Sequence, residues 1–265
     1  MSPIRNLHLD LFGSGVFIIG GQDNRPGEKL VRNDTVVQHV IHHARTTRTI
    51  VAHLLNVPNQ RLYFTNDPRM GESGREEDDI IAWTWRHFVD HPDEPDWLLR
   101  LPMTKAVRLA FDAVNTVFQG QKNTMNLAPV NAIDEFCVTG ASKRGWTTWT
   151  IAAVDKRVKC AIPIVLDCLN MKEQFFNWFR NLGAWSFALI PYWAEGLTKE
   201  LYSDEFDKMM AIVDPFSYVN ITYIFSLYRV IANWSDHEII KVFVVGPSPE
   251  QAEETNIIRF YAISP

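Results

Sequence analysis

Apolar positions in this chain alternate between short runs and longer stretches with helical spacing. Val16 to Ile19 is a short apolar run closing on Gly20 and Gly21, and reads as a strand followed by a loop to Lys29. Thr35 to Arg45 has the spacing of a helix, and Thr49 to Leu55 returns to a strand-like run. A polar connection carrying Pro58 and Pro68 leads to a predicted helix from about Glu76 to Val89. Its first turn holds Glu76, Glu77, Asp78 and Asp79, the charge sign that suits the positive end of a helix dipole. Pro102, tolerated in a first turn, opens a further helix over Met103 to Phe118. Glu135 to Thr139 and Cys160 to Leu166 read as strands on either side of a helix ending near Val154. This β–α–β–α order predicts an α/β fold with a mostly parallel sheet, right-handed crossovers and flanking helices.

Asn170 to Leu197 interrupts the alternation with a concentration of aromatic residues, among them Phe175, Trp178, Trp185, Tyr192 and Trp193. Two arrangements fit such a segment. It either caps a pocket, over roughly 170–205, or packs as a helical hairpin against the sheet.

The chemistry points to Val138 to Val154. A strand runs into Gly140, Ala141, Ser142 and Gly145, and then into a helix rich in Ala, Thr and Trp. That is the layout of a nucleophile elbow, which lifts a serine to the top of a strained strand-to-helix turn. Small residues at 140 and 141 let the backbone fold sharply, and Ser142 lands at a helix N-terminus, where free N–H groups stabilise a developing oxyanion. The usual elbow has glycine two residues after the serine. Here that position is Arg144, so on pattern alone an ordinary turn with a capping serine stays open.

Composition narrows the setting. The chain has 265 residues, enough for one α/β domain, and 46% of them are hydrophobic, enough for a sizeable core. The net charge of −5, with no basic run interleaved with aromatics, argues against nucleic acid as a partner. Cys137, Cys160 and Cys168 lack metal-ligand spacing, and Cys137 and Cys160, inside apolar strand-like runs, read as buried free thiols. No apolar stretch reaches the roughly 18 residues of a membrane span. Leu11 to Gly20 has a superficial likeness to a signal peptide, but His8 and Asp10 interrupt its approach, so it reads as the first strand.

With these pieces placed, the chain closely resembles the PhoPQ-activated pathogenicity-related protein family, which includes autocrine proliferation repressor-like proteins. The matching stretches are Val57-Pro58-Asn59-Gln60, Arg75 to Trp85, Leu101 to Ala106, Gly140 to Trp149, Ala152 to Asp155, Leu169-Asn170-Met171 and Val213-Asp214-Pro215. The resemblance covers about residues 13 to 218. It implies an α/β-hydrolase fold with Ser142 as nucleophile, and makes Arg144 the family's own form of the elbow. It also implies an ester- or amide-cleaving enzyme with no metal or organic cofactor, taking a small-molecule or peptide substrate. The repressor-like members imply another reading, a non-enzymatic secreted signal with a cell-surface partner. Secretion is expected from the family, although no signal peptide is visible in this chain. Compared with the family, the chain is expected to be incomplete at both ends, with a family domain over 1–218 and a divergent tail over 219–265. That tail lacks the Gly-Asp-Glu loop and the following histidine loop that would complete a catalytic triad, so hydrolase activity is expected to be impaired or lost in this chain.

A serine nucleophile needs a histidine base and an acid to orient it, and in α/β-hydrolases these follow the serine in the order acid, then histidine. After Ser142 the sequence offers one histidine, His237, beside Asp236. Asp167, at the end of the strand after the elbow helix, is a candidate acid, or else a cap for the helix beginning near Asn170. Gly20 and Gly21 follow the first strand as an oxyanion-hole pair would, with the backbone N–H of Lys143 as partner. The Lys143 side chain is expected either to steady an anion at the site or to stand solvated on the helix with Arg144. The Arg75 to Asp79 cluster is expected to tie a loop through salt bridges.

Overall fold

The apolar runs form a four-stranded sheet in which every neighbouring pair is parallel. The computed structural model describes residues 14–21, 31, 33–65, 67–68, 73–121, 133–164, 166, 169–218, 227–230 and 242–245; 117–121 and the last two segments are described by backbone alone. Strand β1 (Ser14–Ile19) lies between β2 (Ile50–Leu54) and β3 (Glu135–Ala141), and β4 (Val158–Ile164) pairs with β3, giving the order β2-β1-β3-β4. Helix α1 (Thr35–Thr47) joins β1 to β2. Helices α2 (Glu77–Asp90) and α3 (Arg100–Gln121) join β2 to β3, and α4 (Lys143–Val154) joins β3 to β4. The chain therefore winds outward in opposite directions from the line between β1 and β3. Such a reversal opens a crevice at the carboxyl ends of the strands. Ile19 pairs with Gly140 across that line, which brings the segments after β1 and β3 side by side.

The elements follow the hydrophobic pattern with small end shifts. Helix α3 begins two residues before Pro102, which still lies in the first turn, where its missing N–H costs no helical bond. Burial along β1 alternates strictly, with Phe17 and Ile19 inside. Their face packs on α3. The Phe17 and Phe111 rings meet edge to face at 4.8 Å, and Phe111 stacks on Phe136 at 4.0 Å. The opposite face is half-buried, and α1 contributes no fully buried side chain to it. Cys137 and Cys160 occupy paired register positions on that half-buried face and are joined as a disulfide. This corrects the expectation of free thiols: the spacing of 23 residues gave no sign of the pair, which the register of β3 against β4 creates.

The aromatic segment forms α5 (Met171–Leu182), a 3-10 turn at Phe187–Leu189 and α6 (Ile190–Ala194). A second 3-10 turn at Leu197–Lys199 leads to α7 (Asp204–Val213). It packs on α2 and α7 through a second aromatic core, in which Trp85 meets Trp146, Tyr192 and Phe206 and Phe175 meets Tyr192. Of the tail, β5 (Leu227–Val230) and β6 (Val242–Val245) pair antiparallel.

Candidate active site

Ser142 stands between β3 and α4 with φ 54° and ψ −123°, a backbone region that L-residues rarely occupy. Its N–H donates to the Ile164 carbonyl on β4 (2.9 Å), and its carbonyl accepts from Trp146 N–H (3.1 Å), so the turn is pinned on both sides. The side chain is exposed. Two glycines make this geometry possible. A Cβ on Gly140 would lie 2.7 Å from the Arg144 carbonyl oxygen and 2.8 Å from Arg144 Cβ. The turn therefore tolerates a side chain two residues after the serine because the residue two before it has none. A Cβ on Gly145 would press at 3.1 Å on the Gly140 carbonyl. Gly140→Ala is accordingly expected to cost about 3 kcal/mol, because the clash is with backbone that cannot swing away. Urea unfolding of that variant checks this, and an unchanged midpoint would remove the steric account of the elbow.

The threonines that follow need no external partner. Thr147 and Thr148 donate to the Lys143 and Arg144 carbonyls one turn back, and Thr150 meets Thr104 of α3 at 2.6 Å. Trp146 donates to the Val213 carbonyl (2.6 Å), and the Asp214 carboxylate accepts from Met171 N–H at the start of α5 (2.6 Å). Helix α4, the aromatic segment and the Val-Asp-Pro motif thereby form one connected unit.

Charge at the site is organised between two helix starts. Lys143 Nζ lies 2.7 Å from Glu77 Oε2 and 2.8 Å from Asp78 Oδ2, and the residue is only 8% exposed. Arg144 donates to Glu77 Oε1 (2.5 Å) and to the Val57 carbonyl (2.7 Å). Glu77 itself has φ 51°, and its N–H donates to the Gln60 side chain (3.0 Å). Tyr192 from α6 donates to Asp78 Oδ1 (3.2 Å), and Arg100 donates to the Lys143 carbonyl (2.9 Å). Arg75 pairs with Asp67 and Glu195, so the expected salt-bridge role of the Arg75 to Asp79 cluster is what the structure shows. Lys143 behaves differently from both of its expected roles. It is neither solvated nor available to an anion, because two carboxylates already neutralise it.

Burial pushes the Glu77 carboxyl up, but hydrogen bonds from Arg144 and Lys143 outweigh it and hold its pKa at about 2, against an ordinary value of 4.5. A depressed carboxyl stabilises the fold fully above its ordinary value and loses that contribution as pH falls towards the folded one. The stability gap between wild type and Glu77→Gln is therefore expected to be constant above about pH 5 and to close between pH 4.5 and 2. Urea titrations at pH 7 and pH 3 measure it. A gap that is the same at both would show that Glu77 carries no such linkage.

At the end of β1 the Gly20 N–H donates to the Leu54 carbonyl (2.8 Å), which removes it from an oxyanion hole and corrects its expected role. Gly21 is exposed and lies against the Arg144 guanidinium. The His53 ring faces Gly20, and neither of its buried nitrogens has a hydrogen-bond partner among the described residues; burial, aided by His39, lowers its pKa. Asp167 and His237 lie outside the described residues. Among the described residues, no group of three His, Cys, Asp or Glu side chains could hold a metal, and no helix is long and apolar enough to cross a membrane.

Ser142 lines a cavity of about 250 Å3 together with Asp78, Arg100 and Lys143, and the aromatic segment supplies its far wall through residues such as Phe175, Trp178 and Leu189. Sequence reasoning missed Asp78, Arg100 and Tyr192 as parts of this site. The available signal was charge complementarity: an acidic first turn on α2 and a Lys-Arg pair opening α4.

A family model described as PhoPQ-activated pathogenicity-related protein matches residues 11–240, running past residue 218, where the resemblance described above ends. Autocrine proliferation repressor protein A of Dictyostelium discoideum is 44% identical over 165 residues, covering 62% of this chain and 31% of that relative. The chain thus spans under a third of the relative's length. No solved structure matches the chain.

Proposed function

The chain belongs to the PhoPQ-activated pathogenicity-related protein family, and from that premise we propose that it is a serine hydrolase of α/β-hydrolase type, cleaving an ester or amide bond with Ser142 as nucleophile. One observation carries this reading. An exposed serine holds a strained backbone at the carboxyl edge of a parallel sheet, beside the reversal in strand order and on the floor of a walled cavity. Strain of this kind persists where surrounding structure enforces it, and it clusters at functional sites.

In the proposed reaction the Ser142 hydroxyl attacks a carbonyl carbon and the oxyanion forms against the N–H of Lys143, one of the first N–H groups of α4, which a helix leaves without an i−4 partner. Gly21 supplies the second donor. His237 takes the hydroxyl proton and returns it to the leaving alcohol or amine as the scissile bond breaks, water then releases the acyl group from Ser142, and Asp167 orients the imidazole, in the chain order that α/β-hydrolases use. A fluorophosphonate is expected to attach to Ser142 of the wild-type protein, read by mass spectrometry of the labelled peptide. Folded protein that stays unlabelled would count against the enzyme.

The name of the Dictyostelium relative favours a second reading, a non-enzymatic secreted signal with a cell-surface partner. If wild-type and Ser142→Ala protein slow proliferating cells equally, that reading gains and hydrolysis is not the means.

A further inference from the structure

Resting on the hydrolase reading, we propose that the group carried to Ser142 is a medium-length aliphatic acyl chain, held in the cavity beneath the aromatic segment. The argument starts from what the cavity's polar groups already do. Lys143 is bound to Glu77 and Asp78, the Tyr192 hydroxyl donates to Asp78, and Arg100 donates to the Lys143 carbonyl. Lys143 is buried and its two carboxylates are half-buried, so a polar substrate group entering there would have to compete with contacts already made. The opposite wall is different. Leu166, Met171, Phe175, Trp178 and Leu189 present hydrocarbon, and Leu182 both lines the cavity and stands 61% exposed. Phe187, 85% exposed, sits between the lining residues Ser186 and Ala188, so apolar surface continues outward from the wall.

Hydrocarbon burial is non-directional and grows with the area removed from water. Such a wall therefore selects for chain length and not for a particular polar group. The volume sets the length. A cavity of about 150 Å3 takes the six carbons of benzene, so one of about 250 Å3 takes on the order of eight to ten. The carbonyl end would lie at Ser142 and the chain would run along α5 towards Leu182.

The test is a series of fluorophosphonates carrying two-, four-, eight- and twelve-carbon chains, with the second-order rate of Ser142 labelling followed by intact mass. Each added methylene up to about eight carbons is expected to raise the rate about two- to fourfold, after which the gain stops. Leu182→Asp, a change at an exposed position, is expected to flatten that dependence. Labelling of Ser142 with no gain for longer chains would overturn the inference and leave the hydrolase reading standing. If no probe labels folded protein, that reading falls, and tryptophan fluorescence of Ser142→Ala decides the pocket. Saturable quenching by octanamide but not by butanamide, weakened in the added Leu182→Asp variant, supports an aliphatic site. Absence of saturable binding overturns it.

Discussion

Replacing Ser142 by glycine is expected to stabilise the fold by about 1 to 2 kcal/mol while abolishing capture by a fluorophosphonate. The two effects separate because they act on different atoms. At φ 54° and ψ −123° the serine Cβ opposes the backbone conformation, and glycine removes the opposition. The Ser142 N–H to Ile164 carbonyl bond and the Trp146 N–H to Ser142 carbonyl bond are made by backbone and survive the change. Nucleophilic attack, by contrast, needs the hydroxyl, and deleting the nucleophile of a catalytic serine typically costs about 10⁶ in turnover. Chemical denaturation and labelling of the same preparation measure both. A glycine variant less stable than wild type would mean that the strain is not intrinsic to the residue. Retained labelling would move the reactive serine elsewhere.

Arg75→Ala is expected to be the most destabilising single change, costing about 3 to 5 kcal/mol, although Arg75 does not line the Ser142 cavity. Its guanidinium makes a two-pronged contact with Asp67 and a 2.7 Å bond to Glu195 beyond α6; the Asp67 side chain is 2% exposed. Truncation removes the guanidinium from a buried carboxylate, and that penalty exceeds whatever the intact pair contributes. Arg75→Lys is expected to recover only part of the loss, since an ammonium cannot reproduce the planar fork. The double change Arg75→Met with Asp67→Leu, which removes both charges, is expected to be milder than Arg75→Ala alone. Thermal and urea unfolding of the set decide the matter. A loss below about 1 kcal/mol for Arg75→Ala would show that Asp67 is solvated or neutral in the folded protein.

Much of the fold could be read from the chain because it rests on local periodicity. The strict inward placing of Phe17 and Ile19 on β1, the acidic start of α2 and the glycines around Ser142 all act within a few residues of themselves. Partnership was less legible. Arg75 was expected to bind in a loop cluster, yet one of its carboxylates lies 120 residues away in Glu195. Lys143 reads as a solvated or substrate-facing cation beside the serine, and no local pattern reveals that Glu77 and Asp78 meet it from another helix. Gly20 fits an oxyanion donor by position, but its N–H continues the ladder to Leu54. Cys137 and Cys160 become neighbours through strand register alone.

The sequence by itself determined that a serine would be raised between a strand and a helix, because sharp backbone turns depend on side chains only a few residues apart. Gly140 without a Cβ permits Arg144 with one, and that exchange is written within five positions. Only the tertiary structure decided what surrounds the serine. Ion pairs, open donors and cavity walls are set by distances between segments remote in the chain. Those distances fixed Lys143 to the carboxylates of α2, withdrew Gly20 from the site and placed a hydrocarbon wall opposite Ser142.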